Sequence, residues 1–125
     1  MARVIALVPD LLFGSNVQGS LTGAGHDVAL IVDERRLRER LSDPDAPRGE
    51  VLVVDLTDPS FDGVAIVNSL ATEGLLDGVR TLAFFAHVDT AVGQRARDAG
   101  LDLVVPRSRM AREGAQLVAR LAGES

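Results

Sequence analysis

Cysteine is absent, which removes disulfides, thiol nucleophiles and cysteine-based metal sites and leaves the redox compartment open by this criterion. Tryptophan and tyrosine are absent too, and aromatic character is confined to Phe13, Phe61, Phe84 and Phe85. Base-stacking platforms and carbohydrate-stacking grooves need more aromatic surface than this. No apolar stretch reaches the roughly 20 residues of a membrane helix. Residues 1–8 form an apolar run with one arginine and no small-residue cleavage site, so the expectation is a cytoplasmic protein with no membrane partner. Positive charge is in deficit: a net charge of -5 repels phosphate backbones, and nucleic-acid binding through this chain is not expected. The one basic run, Arg35, Arg36, Arg38 and Arg40, alternates with Glu34 and Glu39 and reads as the solvated face of a helix.

What remains is an ordinary globular composition, 46% hydrophobic and 25% charged. The 125 residues suffice for one core and are too few for two, so residues 1–125 are read as a single domain. Short apolar runs at 4–8, 28–32, 51–54, 81–85 and 101–105 are rich in β-branched residues or leucine and too short for helices. Their continuous apolar character predicts strands buried on both faces, as in a parallel sheet covered by helices. Between them lie helical segments at 11–24, 34–41, 62–73, 90–99 and 108–121, the first, third and fourth ending at Gly25, Gly74 and Gly100. In the third, Val64, Val67, Leu70 and Ala71 recur at helical spacing, and in the last Met110, Leu117, Val118 and Leu121 do the same.

Five βα units with right-handed crossovers predict an α/β fold with a doubly wound, five-stranded parallel sheet. Ligands in such sheets sit beyond the carboxyl ends of the strands. The residues to examine are therefore Pro9 and Asp10, Asp33, residues 55–62, residues 86–89 and residues 106–108.

The third strand runs directly into Asp55-Leu56-Thr57-Asp58-Pro59-Ser60-Phe61-Asp62-Gly63, with the pattern D-x-x-x-P-x-x-D-G. Here the chain resembles the response-regulator receiver of two-component signalling, which has a three-layer, flavodoxin-like (CheY-like) (βα)5 fold. The resemblance places Asp55 at the carboxylate that accepts a phosphoryl group from a histidine kinase. It implies a Mg2+ ion held by Asp10, Asp55 and the Thr57 carbonyl, with Pro9 standing where receivers have a first acid. It places Phe85-Ala86 where receivers carry a hydroxyl residue followed by a small one: Ala86 keeps the small residue, and the hydroxyl is missing. Arg107 takes the place of the lysine that pairs with the phosphoryl group, although its planar fork differs from an ammonium. These departures liken the chain to atypical receivers, or pseudo-receivers.

Each site residue has a plainer role beside this one. Asp55 accepts phosphate, or it caps a helix and pairs with Arg107. A carboxylate flanked by Asp10, Asp58 and Asp62 favours a bound cation or a raised pKa. His87 donates to an anion or carries protons, or is a loop histidine. Arg107 and Ser108 form an anion site at the start of the last helix, or Ser108 is its N-cap. His26 reads as a turn residue. Gly14, Ser15, Asn16 and Gly19 complete no phosphate-binding motif, and Ser60, His87 and Asp89 have no nucleophile elbow to make a hydrolase.

The resulting expectation is a stand-alone, non-enzymatic signalling module. Its partner would be a sensor kinase or another signalling protein, or a second copy of the chain in a homodimer. The partner surface would run over the fourth helix, fifth strand and fifth helix, near Phe84, Arg109, Met110 and Arg112. The alternatives are a phosphorylation-independent scaffold or dimerisation module and a sensor of a cation or small ligand.

Overall fold

The computed structural model describes residues 1–123. Strands and helices alternate throughout: β1 (Arg3–Leu7), α1 (Leu11–Gly23), β2 (Asp27–Ile31), α2 (Glu34–Ser42), β3 (Val51–Asp55), α3 (Gly63–Thr72), β4 (Arg80–Phe85), α4 (Thr90–Asp98), β5 (Leu103–Pro106) and α5 (Arg107–Leu121). All strand pairs are parallel and the order across the sheet is β2-β1-β3-β4-β5. The expected flavodoxin-like, doubly wound sheet is therefore present, with its reversal of strand order between β1 and β3. No described helix is long and apolar enough to cross a membrane.

The continuous apolar runs mark burial best in the centre of the sheet, where all of β3 and every residue of β4 but Arg80 are buried. The second run differs from expectation. β2 is an edge strand paired only with β1, and Val28, Ala29 and Leu30 keep partial exposure because neither face is fully covered there. The fifth strand begins at Leu103 rather than 101. Asp102 instead turns its carboxylate onto the Thr81 amide (2.8 Å) and hydroxyl (3.1 Å), tying the start of β4 to the entry of β5. Gly25, Gly74 and Gly100 stop their helices with φ of 94°, 76° and 86°, a region costly for other residues.

Alternation along each strand divides the core into two layers. Leu52, Val54, Ala83 and Phe85 face α3 and α4, while Val51, Val53, Leu82 and Phe84 face α1 and α5. Leu117 and Val118 give α5 its buried face as predicted. In α3 the buried residues are Gly63, Val64, Ile66, Val67 and Leu70, while Ala71 is exposed. Phe84 (0% exposed) and Met110 (3%) are core residues, which removes them from the partner surface expected of them; Arg112 remains exposed.

His26 is a structural tie rather than a simple turn residue. It is buried; its Nδ1 accepts the Ala2 amide hydrogen (3.0 Å) and its Nε2 lies 3.1 Å from the Ala115 carbonyl. An acceptor at Nδ1 leaves Nε2 as the donor, so one neutral ring joins the chain entering β1 to the middle of α5.

Phe85 imposes a second constraint. A Cβ on Gly93 would lie 2.9–3.1 Å from three atoms of its ring, and Arg97 stacks on that ring at 5.6 Å. Glycine in α4 is unfavourable to the helix by about 1 kcal/mol, and the position keeps it because the ring needs the space. Gly93→Ala is accordingly expected to destabilise the protein by about 1–3 kcal/mol in urea unfolding, despite its better helix propensity. Adding Phe85→Leu, which makes room for the methyl group, should recover part of that loss.

Candidate functional site

The carboxyl ends of the strands are rich in aspartate, and local geometry divides those aspartates by duty. Asp10, Asp33, Asp62 and Asp89 are the N-caps of α1, α2, α3 and α4. Each accepts amide hydrogens that the first helical turn leaves without a partner: Leu12 and Phe13 on Asp10 (3.0 and 3.1 Å), Arg36 on Asp33 (2.8 Å), Ala65 on Asp62 (3.1 Å) and Val92 on Asp89 (3.4 Å). Asp62 also holds Arg95 through two bonds of 2.9 and 2.8 Å, and that guanidinium keeps its carboxyl below the usual range. Asp58 closes a turn by accepting the Ser60 amide (2.8 Å), and the Ser60 hydrogen bonds hold its carboxyl low as well.

Asp55 caps no helix. It is the last residue of β3, only 1% exposed, and its Oδ1 accepts both the Thr57 amide (2.7 Å) and the Thr57 hydroxyl (2.6 Å). Its Oδ2 accepts no hydrogen bond from the described residues. Since no fully buried side-chain oxygen or nitrogen among them lacks a partner, Oδ2 must keep a narrow opening to solvent. Burial raises the Asp55 pKa; the Thr57 bonds and the Arg107 charge counter that rise, and Asp58 adds to it slightly. The raised pKa expected from crowded carboxylates is therefore present for a different main reason, the removal of Asp55 from water.

The other expected site residues lie around this carboxylate without closing on it. Arg107 is the first residue of α5 and makes no ion pair with Asp55. Its guanidinium carbon lies 3.9 Å from the centre of the Phe13 ring, and it approaches the Asp10 carboxylate at 3.9 Å. Ser108 is the exposed second residue of that helix and does not cap it, because Pro106 holds the cap position and makes no side-chain bond there. His87 is exposed in the turn that the Asp89 amide closes on the Ala86 carbonyl (2.8 Å). Ala86, His87, Arg107 and Ser108 line one open hollow with Phe13 and Ala111. Asp58 belongs to another, beside the β3–α3 loop, which the Asp55 side chain does not line. Gly63, the first residue of α3, packs so closely on the end of β3 that a Cβ would sit 2.7 Å from Leu56. It brings the start of α3 against the strand end.

Three features were not drawn from the sequence. Phe13 contacts both Arg107 and Phe84 (ring centroids 5.1 Å apart); its place three residues after the α1 cap, in a chain with four aromatics, was the available clue. All 13 basic residues are arginine, so no lysine exists anywhere to serve at the phosphoryl position. Gly93 is matched to Phe85 across the α4–β4 contact, and only the packed structure reveals it.

No three His, Cys, Asp or Glu side chains among the described residues converge as a metal-ligand set. The expected Mg2+ ligands are two carboxylates and a carbonyl. Their donor chemistry fits a hard cation: among the described residues Asp55 Oδ2 and the Thr57 carbonyl accept no hydrogen bond, and Asp10 Oδ2 has only the loose Arg107 contact.

No family model matches the chain, and no curated protein matches it in sequence. Its architecture is that of response-regulator receiver (CheY-like) domains. It is similar to a putative response regulator from Chloroflexus aurantiacus (TM-score 0.84, 15% identity, 98% of each chain covered). It is similar to FixJ-N at TM-score 0.83 and 18% identity, covering 100% of this chain and 96% of that one. The Mn2+-bound form of the response regulator Rcp1 aligns at TM-score 0.75 and 13% identity, covering 97% of this chain and 91% of that one. At such identities the likeness is one of fold.

Because its pKa is raised, Asp55 binds its proton more tightly in the folded than in the unfolded chain. Its contribution to stability is then greatest below the ordinary aspartate range and falls as pH rises through that range to the higher folded value. Asp55→Asn keeps the acceptor for Thr57 and removes the charge. It should raise the melting temperature by about 2–6 °C at neutral pH. In paired melts the gain should shrink towards zero below about pH 4.

Proposed function

We propose that this chain is a receiver-type signalling module, not an enzyme, that accepts a phosphoryl group at Asp55 from a histidine kinase in the cytoplasm. One observation carries the reading: of the aspartates at the strand ends, Asp55 alone is buried, spared from capping, and held at one oxygen with the other accepting no hydrogen bond from the described residues. Such a carboxylate has a fixed direction of attack. Oδ2 forms the new P–O bond as the donor's P–N bond breaks, and the leaving imidazole takes up a proton. Arg107 lies close enough for its charge to act on Asp55 and is the guanidinium available to the transferred group. Asp10, Asp55 and the Thr57 carbonyl are the residues that would hold Mg2+, whose charge would offset that of the phosphoryl oxygens. The Mn2+-bound form of Rcp1, a protein of the same fold, supports a divalent cation as a ligand of this chain.

A second reading, a phosphorylation-independent scaffold working through a protein partner or a second copy of itself, is favoured by Phe85. A ring fills the position where a hydroxyl would sense the phosphoryl group, and it is locked against Gly93. Melting curves separate the two. Magnesium with beryllofluoride, a phosphoryl mimic, is expected to raise the melting temperature by on the order of 5 °C at saturating concentration. The shift should vanish in Asp55→Ala. No shift in the unaltered protein overturns phosphoryl acceptance and leaves the scaffold.

A further inference from the structure

Arg107 is held by two contacts that both lead to α1. Its guanidinium covers the Phe13 ring and faces Asp10. The Asp10 carboxylate also accepts the Phe13 amide at 3.1 Å, so one acid fixes the backbone that carries the ring and draws the cation onto it. Phe13 in turn lies against Phe84, which is fully buried and is the register partner of Asp55 across β3 and β4. The half-exposed guanidinium thus rests on the aromatic face while the buried carboxylate beside it has an oxygen that no described residue bonds. A cation over an exposed ring is held weakly. A charge-assisted, two-pronged bond from Arg to a phosphoryl oxygen pair is stronger.

We infer that Phe13 is the resting seat of Arg107, a positioning residue that holds the guanidinium off Asp55 until an anion bound there draws it away and uncovers the ring. The inference rests on anion binding at Asp55 and adds to it a switch made of Arg107 and Phe13, in a chain whose Phe85 offers no hydroxyl. Its visible consequence falls between α1 and α5, because Phe13 lines both the hollow beside Arg107 and the groove containing Val17, Met110 and Gly114.

The absence of tryptophan provides the test. Phe13→Trp keeps an aromatic seat and installs a single emitter. Titration with beryllofluoride in excess magnesium should change its emission and saturate with the same dissociation constant that calorimetry gives for binding. The Phe13→Trp/Arg107→Ala double variant should show no such change. Phe13→Leu, which removes the competing seat, should bind beryllofluoride about 2–5-fold more tightly by calorimetry. If Phe13→Trp fails to fold, the Arg107 Nε–H resonance of the unaltered protein gives the same information, since its ring-current shift should be lost on binding. A melting shift with unchanged emission, or with unchanged Arg107 resonance, overturns the seat and leaves phosphoryl acceptance standing. So does an equal emission change in the double variant, or binding by Phe13→Leu that is no tighter. No melting shift in the unaltered protein overturns both.

Discussion

Where β1 lies against β3, with Leu7 opposite Val54, the order of strands along the sheet reverses, and the chain leaves the two strands at the same edge through Asp10 and Asp55. Every other feature of the site follows from that pairing. Helices must diverge to opposite faces of the sheet at this point, so the strand ends open instead of being covered. The two acids then meet different surroundings. Asp10 stands at the exposed start of a helix and is spent on amide hydrogens, while Asp55 ends a strand buried on both faces and is spent on Thr57 alone.

The fold was legible because it rests on patterns that repeat along one dimension. Strand runs, helix periodicity and glycine stops together specify five βα units, and the motif from Asp55 to Gly63 locates the site. The errors fall where a neighbour in space decides. The run at 28–32 looks as buried as the others, but position in the strand order leaves β2 at an edge. Phe84 and Met110 look available to a partner until the sheet turns them inward. Ser108 looks like a cap until Pro106 takes that place. Asp10, Asp58 and Asp62 look like acids crowding Asp55, whereas Asp10 and Asp62 are helix caps, Asp58 closes a turn, and Asp55 owes its raised pKa mainly to burial. Contacts such as His26 with Ala115, or Phe13 with Arg107, join residues 89 and 94 positions apart, and no local rule predicts them.

Aromatic rings pack on both faces of the sheet near the strand ends. On one side of the sheet Phe85 packs against α4; on the other Arg107 covers Phe13, whose ring lies tilted against Phe84. Rings transmit force through shape rather than through hydrogen bonds. A displaced ring forces its neighbours to repack, because interiors this dense have little free volume. The two sides are unequal in this respect. Phe85 is locked by the glycine opposite it, whereas Phe13 is partly open and contacts a mobile class of side chain.

The fit between Phe85 and Gly93 also bears on the history of this chain. A hydroxyl residue at position 85 would leave empty the space the ring fills, and a side chain at position 93 would collide with the ring while it is still there. Each change alone is unfavourable, and only the pair restores a filled contact. Selection acting one substitution at a time therefore meets a barrier in both directions. Relatives that keep an aromatic at position 85 are expected to keep glycine at position 93, varying the two together or not at all.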